Sequence, residues 1–310
     1  MKDRIKTMMD YAYFEGKITP SVESKISIAS HSIQYGSTCF GGMRGYLREG
    51  KARLFRIEDH FERLMNAVKI FGMDFKMTFE EFKKAVSELI LANKPATDFY
   101  IRPFIYSDDE DLTPKFVGIS FKIALYMIPL GDYLDTSRGL RLMVSSWQKF
   151  PDASISTKAK AGGSYLNSSL ARSEAIRCGY DEALVMDQNW SIVEGSAENF
   201  FIVYRGEMIM PSIGSSMLEG ITMRTVVEIC KEENISIRFE KIDRSMVYTA
   251  DEILLTGTGA QILFADSVDD RVIGDGKMGE VCQRLRNIYT AIIEKKHPKS
   301  KLWISEYEVC

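Results

Sequence analysis

Lys158-Ala-Lys160-Ala-Gly-Gly163-Ser-Tyr165-Leu166 sets two lysines just ahead of a glycine pair and the opening of a helix expected over 164–178. Paired glycines leave room for something bulky against the backbone. A lysine held out of water gives up its proton readily and can bond covalently to a carbonyl carbon. Either lysine meets that description, and so does a plain basic loop. Further along, Ile192-Val-Glu194-Gly-Ser-Ala-Glu198-Asn199-Phe200 reads as strand, small-residue turn and strand. Glu194 there suits a cationic ring nitrogen, or, as an ordinary hairpin carboxylate, solvent. Leu218-Glu-Gly220-Ile221-Thr222-Met-Arg224 precedes an apolar helical stripe; Thr222 makes an N-cap, and the free N–H donors of the first turn suit a phosphate. Leu254-Leu-Thr256-Gly257-Thr258-Gly259-Ala260 ends a strand in small polar residues, again suited to phosphate or carboxylate. It is no dinucleotide fingerprint, because the third glycine is absent and Ile262-Leu-Phe264 continues as a strand rather than a helix.

Around these stretches the pattern alternates strands with helices. Tyr11 to Thr19 predicts a hairpin about Glu15-Gly16-Lys17, and 40–47 with 52–56 a second about Glu49-Gly50-Lys51. Ile57, Phe61, Leu64, Met65, Val68 and Phe71 form a helical apolar stripe, and Thr78 with Glu81 predicts a capping box for the next helix. Strands are expected over 99–106 and 117–128. The Pro, Gly, Asp, Thr and Ser of 129–138 read as a linker between a domain over 1–128 and another over 139–310. In the second half strands are expected near 140–147, 182–187, 190–194, 198–204 and 251–256, with further helices near 222–233 and 278–294. The carboxylates of Asp108 to Asp111 lack the spaced ligands and glycine of a calcium loop and read as a solvated loop.

The 310 residues suit roughly two domains. Lys and Arg number 40 against 43 Asp and Glu, a net charge of −3, so no cationic excess exists to displace counterions from nucleic acid. Five cysteines without a C-x-x-C pair fit a reducing compartment, and three scattered histidines give no metal-ligand spacing; no metal is expected. The opening residues lack the apolar core of a signal peptide, and no stretch approaches the roughly 20 apolar residues of a membrane span. A cytoplasmic protein without membrane or nucleic-acid partners is the expectation.

Taken in order and spacing, K-A-G-G-S-Y-L, E-G-S-A-E-N-F-F, L-E-G-I-T-M-R and T-G-T-G-A closely resemble the fold-type IV pyridoxal-phosphate aminotransferases, particularly the branched-chain amino acid aminotransferases. Y-G-S-T-C-F-G-G-M-R-G-Y, H-F-E-R-L and F-Y-I-R-P extend the resemblance from about residue 13 to 293. It implies an α+β protein of two domains: a small N-terminal α/β domain and a larger, β-barrel-like C-terminal domain that binds pyridoxal 5′-phosphate. It also implies roles. Lys160 matches the catalytic lysine that bonds to the cofactor, and only the motif alignment separates it from Lys158. Glu194 matches the carboxylate facing the pyridine nitrogen, Tyr165 the partner of the phenolic oxygen, and Arg63 the phosphate-binding arginine. Leu218, Gly220, Ile221, Thr222, Gly257 and Thr258 match the remainder of the cofactor site. For the substrate, Tyr35, Phe40, Gly42, Arg44, Tyr100 and Tyr133 resemble the branched-chain pocket. Arg102 resembles the receiver of glutamate's distal carboxylate, and Gly259 with Ala260 the α-carboxylate site. Tyr and Phe on strands also serve as core packing.

Two positions depart from the family pattern: Gly41 stands where F-E-G-x-R would put a glutamate near Arg44, and Leu130 where many bacterial relatives carry tryptophan. The implied reaction is transamination of L-leucine, L-isoleucine and L-valine with 2-oxoglutarate by a homodimer whose pocket a partner loop completes, with further assembly left open. Rival readings on the same scaffold are a D-amino acid or (R)-amine aminotransferase and an aminodeoxychorismate lyase. A non-catalytic scaffold would have no need of Lys160, Glu194 and Arg63 together.

Overall fold

The computed structural model describes residues 8–131, 138–212, 214 and 216–309. The chain divides into two compact units: Met1–Tyr133 with Ala159–Gly163 and Ala291–Cys310, and Leu134–Lys158 with Ser164–Thr290. In chain order the first unit holds β1 (Tyr11–Phe14), β2 (Lys17–Pro20), α1 (His31–Tyr35), β3 (Cys39–Phe40), β4 (Met43–Arg48), β5 (Lys51–Phe55), α2 (Ile57–Phe71), α3 (Phe79–Asn93), β6 (Phe99–Tyr106) and β7 (Lys122–Pro129). The second holds β8 (Leu140–Gln148), α4 (Tyr165–Arg177), β9 (Glu182–Met186), β10 (Ile192–Gly195), β11 (Asn199–Tyr204) and β12 (Glu207–Met210). It continues with α5 (Ile221–Glu232), β13 (Ile237–Phe239), α6 (Arg244–Tyr248), β14 (Glu252–Gly257), β15 (Gln261–Val268), β16 (Arg271–Val272) and α7 (Glu280–Ile293). The chain returns to the first unit at Ala291, within α7, and adds α8 (Ser300–Trp303) and β17 (Ile304–Glu308) there.

In the first unit the sheet runs β17-β5-β4-β6-β7-β1-β2, with β3 on β6. Both expected hairpins form on Glu-Gly turns with positive φ at each residue, 50° and 81° at Glu15 and Gly16, 53° and 75° at Glu49 and Gly50. Such mirror-image turns match the twist of paired strands. α2 buries Ile57, Phe61, Leu64 and Val68 of the expected stripe, and α3 starts at the reciprocal Thr78–Glu81 capping box. The strand expected from Val117 begins only at Lys122: Gly118 turns with φ 77°, and Val117 is 85% exposed with nothing to pack on. The linker expected over 129–138 opens on the last residue of β7, and 132–137 lie outside the described residues.

The second unit's sheet runs β10-β9-β8-β15-β14-β11-β12-β13, and β10 also pairs with β11. That extra pairing closes β10, β9, β8, β15, β14 and β11 into a six-stranded ring. β8 lies parallel to both β9 and β15, with the other pairs of the ring antiparallel. Buried on both sides, the ring strands read as near-continuous apolar runs, such as Phe200 to Val203 and Ile253 to Leu255. The T-G-T-G-A stretch is the β14–β15 connection, so the rejected dinucleotide reading is also absent from the fold. No helix among the described residues is long and apolar enough to cross a membrane.

Candidate active site

In the first unit, residues 159–163 run along β3. The Phe40 N–H donates to the Lys160 carbonyl at 2.9 Å, Gly162 donates to the Thr38 carbonyl at 2.9 Å, and Cys39 bridges Ala161. A Cβ on Gly162 would lie 2.1 Å from the Thr38 hydroxyl. The room beside this glycine is therefore filled by the chain itself, and the sequence reading that reserved it for a bulky ligand is corrected here. The same pairing carries the half-buried Lys160 ammonium to 4.9 Å from the Phe40 ring centroid. On the ring's other contact, the Arg102 guanidinium lies 4.6 Å from the centroid and donates to the Tyr100 hydroxyl at 3.3 Å. Phe40, Tyr100, Arg102 and Lys160 thus form one cluster with two cations on one aromatic ring.

Gly42 lies beneath the Tyr100 hydroxyl, 1.5 Å from where a Cβ would stand, and a Cβ on Gly41 would meet Pro103 at 2.8 Å. A side chain at 41 would require Pro103 to shift. Arg44, buried beside the Tyr46 ring, donates to the Gly131 carbonyl at 3.0 Å. Tyr35 is 40% exposed, and its hydroxyl donates to the Leu112 carbonyl. Arg63 sits half-buried on α2, and Leu130 is buried. Tyr133 lies outside the described residues. The acidic loop spends its carboxylates locally: Asp108 on Lys122, Asp109 on the Ser120 N–H, and Asp111 on Thr113 and Lys115.

In the second unit, strand register brings the expected residues together. Glu194 pairs with Asn199, and Asn199 with Thr256, so the three side chains share one face across β10, β11 and β14. Glu194 is buried, and its carboxylate accepts the Leu218 N–H at 3.1 Å, while the Asn199 amide donates to the Leu218 carbonyl at 2.7 Å. One residue is thus held through both its N–H and its C=O, three positions before α5. A Cβ on Gly220 would sit 2.0 Å from the Asn199 side-chain oxygen, so glycine is required for this close approach. Gly220, rather than Thr222, is the N-cap; it brings no side-chain cap, and no acidic residue occupies the first turn. Thr222 lies inside the helix, 3% exposed. The first-turn donors are thereby left to suit an anion. Tyr165 is the half-buried first residue of α4, and Thr258, Gly259 and Ala260 form the turn after Gly257 ends β14.

Lys158 is committed elsewhere: its amine donates to the Met217 carbonyl at 3.4 Å and lies 3.6 Å from Glu219. Sequence reasoning missed Asn199 and Lys149, whose amine forms an ion pair with Glu194. The place of Asn199, directly across a four-residue turn from Glu194, was legible in the quoted motif; Lys149 carried no signal.

The family described as amino-transferase class IV matches residues 38–268. This chain belongs to that family. The probable branched-chain-amino-acid aminotransferase of Aquifex aeolicus is 39% identical over 300 residues, covering 96% of each chain. The branched-chain aminotransferase of Thermoproteus uzoniensis, solved with norvaline, has a TM-score of 0.93 at 36% identity, with 97% of this chain and 99% of that one covered. The branched-chain amino acid aminotransferase of Thermobaculum terrenum, solved in its pyridoxal-phosphate form, gives 0.91 at 28% identity, with 97% and 99% covered. The chain is a class IV aminotransferase of the fold-type IV architecture and uses pyridoxal 5′-phosphate. The residues present fit the cofactor: Glu194 is a buried carboxylate suited to a ring nitrogen, the α5 N-terminus is uncapped, and the Thr256 hydroxyl is buried with no hydrogen-bond partner among the described residues.

Proposed function

We propose that this aminotransferase exchanges the amino group of L-leucine, L-isoleucine or L-valine with 2-oxoglutarate, giving branched-chain 2-oxo acids and L-glutamate. The observation that carries the reading is the Phe40 cluster, where one apolar ring holds the Lys160 ammonium at 4.9 Å and the Arg102 guanidinium at 4.6 Å. Apolar surface suits an aliphatic side chain, and a fixed guanidinium suits a distal carboxylate. Ligands of a relative agree: a branched-chain amino acid aminotransferase of the same fold, 32% identical, was solved with N-(5′-phosphopyridoxyl)-L-glutamate and with 4-methylvaleric acid.

Bound pyridoxal phosphate supplies an aldehyde carbon to receive the amino group and a ring that accepts electron density from the substrate Cα. In our assignment Lys160 is the residue that would hold the cofactor through its aldehyde carbon, and its amine would be the group that takes and returns the substrate's Cα proton. Glu194 keeps the ring nitrogen protonated, and Tyr165 donates to the phenolic oxygen. Arg63, the N–H donors that follow Gly220 and the Thr258 hydroxyl hold the phosphate, with Leu218 and Gly257 lining the cofactor. Gly259 and Ala260 receive the α-carboxylate, while Tyr35, Gly42, Arg44, Tyr100 and Tyr133 complete the pocket. The domains proposed are 1–128 and 139–310, and the working state proposed is a cytoplasmic homodimer.

A panel of L- and D-amino acids at saturating 2-oxoglutarate tests the reading. Leucine, isoleucine and valine should outrank alanine, since each added methylene contributes about 0.8 kcal/mol on burial. Faster turnover of D-alanine than of L-leucine overturns the substrate assignment. Borohydride reduction and peptide mapping should find the cofactor on Lys160; label on Lys158 overturns that role.

A further inference from the structure

Lys149 follows directly on β8, where its N–H extends the sheet by donating to the Met186 carbonyl at 2.8 Å. From there its ammonium reaches Glu194 as an ion pair, the two side chains being only 12% and 8% exposed. The pair engages one carboxylate oxygen, and the other accepts the Leu218 N–H at 3.1 Å. The Phe150 ring lies 5.5 Å from the ammonium and closes off another side of it. Both oxygens of Glu194 are therefore pinned by groups of the chain on two separate elements. A carboxylate has about four lone-pair sites, so it can still accept an N–H from a ring. Burying such a charge is costly unless a counter-charge and hydrogen bonds compensate it.

We propose that Lys149 is a positioning residue for the cofactor: it fixes the Glu194 carboxylate in the orientation that meets the ring nitrogen and offsets the cost of burying its charge. The proposal rests on the role assigned above to Glu194. Position 149 lies outside the family motifs. Lys149 shapes how strongly the ring is held and polarised, without touching the substrate.

The test compares wild-type holoenzyme with K149M, K149R, E194Q and the K149M/E194Q double variant. The readouts are the pyridoxal-phosphate dissociation constant, the position of the bound cofactor's visible band, and kcat and KM for leucine. K149M should raise the dissociation constant and lower kcat about tenfold each, the equivalent of about 1.4 kcal/mol, with a displaced band. KM for leucine should change by less than about threefold, because ground-state substrate binding is not where the loss falls. K149R should recover most of the loss, and K149M should add little in the E194Q background, as expected of two residues acting as a unit. A wild-type band and kcat in K149M, a lowered Tm with both intact, or fully additive losses in the double variant would each overturn the proposal. If K149M does not fold, K149R and E194Q carry the comparison: a K149R enzyme as impaired as E194Q sinks it. E194Q with wild-type band and kcat would refute the Glu194 assignment itself and Lys149 with it, whereas an impaired E194Q beside a silent K149M refutes Lys149 alone.

Discussion

Arg102 shows most plainly how a single residue divides two substrates. Its guanidinium lies against Phe40 and Tyr100, donates to the Tyr100 hydroxyl, and keeps its Nε buried with no hydrogen-bond partner among the described residues. A buried donor lacking a partner costs free energy that an incoming carboxylate can recover. Arg102→Ala should therefore lower kcat/KM for glutamate by about 2–5 kcal/mol and leave leucine far less affected. Equal losses for the two amino acids, measured by steady-state kinetics, would assign Arg102 a general structural role. The thiols give a second expectation at this scale. Burial pushes Cys39, Cys230 and Cys282 up to about 12, so each is a neutral thiol at neutral pH, while Cys178 is exposed. Thiolate is the reactive form. Alkylation of the native protein followed by peptide mapping should find Cys178 labelled and the three buried thiols protected until the chain is unfolded.

The connection from β12 to α5 is where two strands control one loop. Glu194 accepts the Leu218 N–H while Asn199 donates to the Leu218 carbonyl, and Gly220 gives Asn199 the space to do so. Asn199→Ala should free that carbonyl and loosen the start of α5, raising the pyridoxal-phosphate dissociation constant about tenfold, the scale of one good hydrogen bond. Unchanged affinity by equilibrium dialysis would separate the loop from phosphate binding. A second junction joins β8, α6 and the end of β15 through Asp269, which accepts from the Val144 N–H at 2.9 Å and from Tyr248 and Arg244 at 2.6 Å each. Burial alone would raise this carboxyl's pKa, but the Tyr248 hydroxyl, the Val144 N–H and Arg244 together hold it below the ordinary aspartate value. A group lowered on folding contributes fully above its unfolded value of about 3.9 and loses that contribution as pH falls through the lower folded value. Asp269→Asn should thus destabilise the protein at neutral pH by about 1–3 kcal/mol, with the gap to wild type closing in acid. A difference in denaturation midpoint that persists below that window would remove the charge from the account.

Across the molecule, legibility followed how local the cause was. The Glu-Gly turns, the α2 stripe and the Thr78 capping box are contained in a few neighbouring residues, and each appears as read. The five-residue α1 offers too little periodicity to read, and β17 is a strand because it pairs with β5 some 250 positions away, Glu308 opposite Lys51. The Phe40 cluster is of that second kind, since only the run of 159–163 along β3 brings Lys160 to the ring. A distant cause also bears on assembly. The first unit exposes Ile28 at 88%, Ile33 at 56%, Leu112 at 76% and Val117 at 85%. The segments of Ile33 and Leu112 touch through the Tyr35 hydroxyl on the Leu112 carbonyl. Scattered apolar residues are ordinary on a surface, but several on adjoining segments mark a face that water disfavours. A two-fold dimer is the commonest closed way to cover such a face, since one patch meets its own copy. Light scattering should accordingly give about twice the 35.2 kDa of one chain. A lysine at Ile33 and another at Leu112 would place like charges across that axis and should shift the population toward monomer, more so at low salt, where screening is weak. A wild-type chain that scatters as a monomer at full activity removes the dimer; a dimer indifferent to I33K/L112K moves its interface to another face.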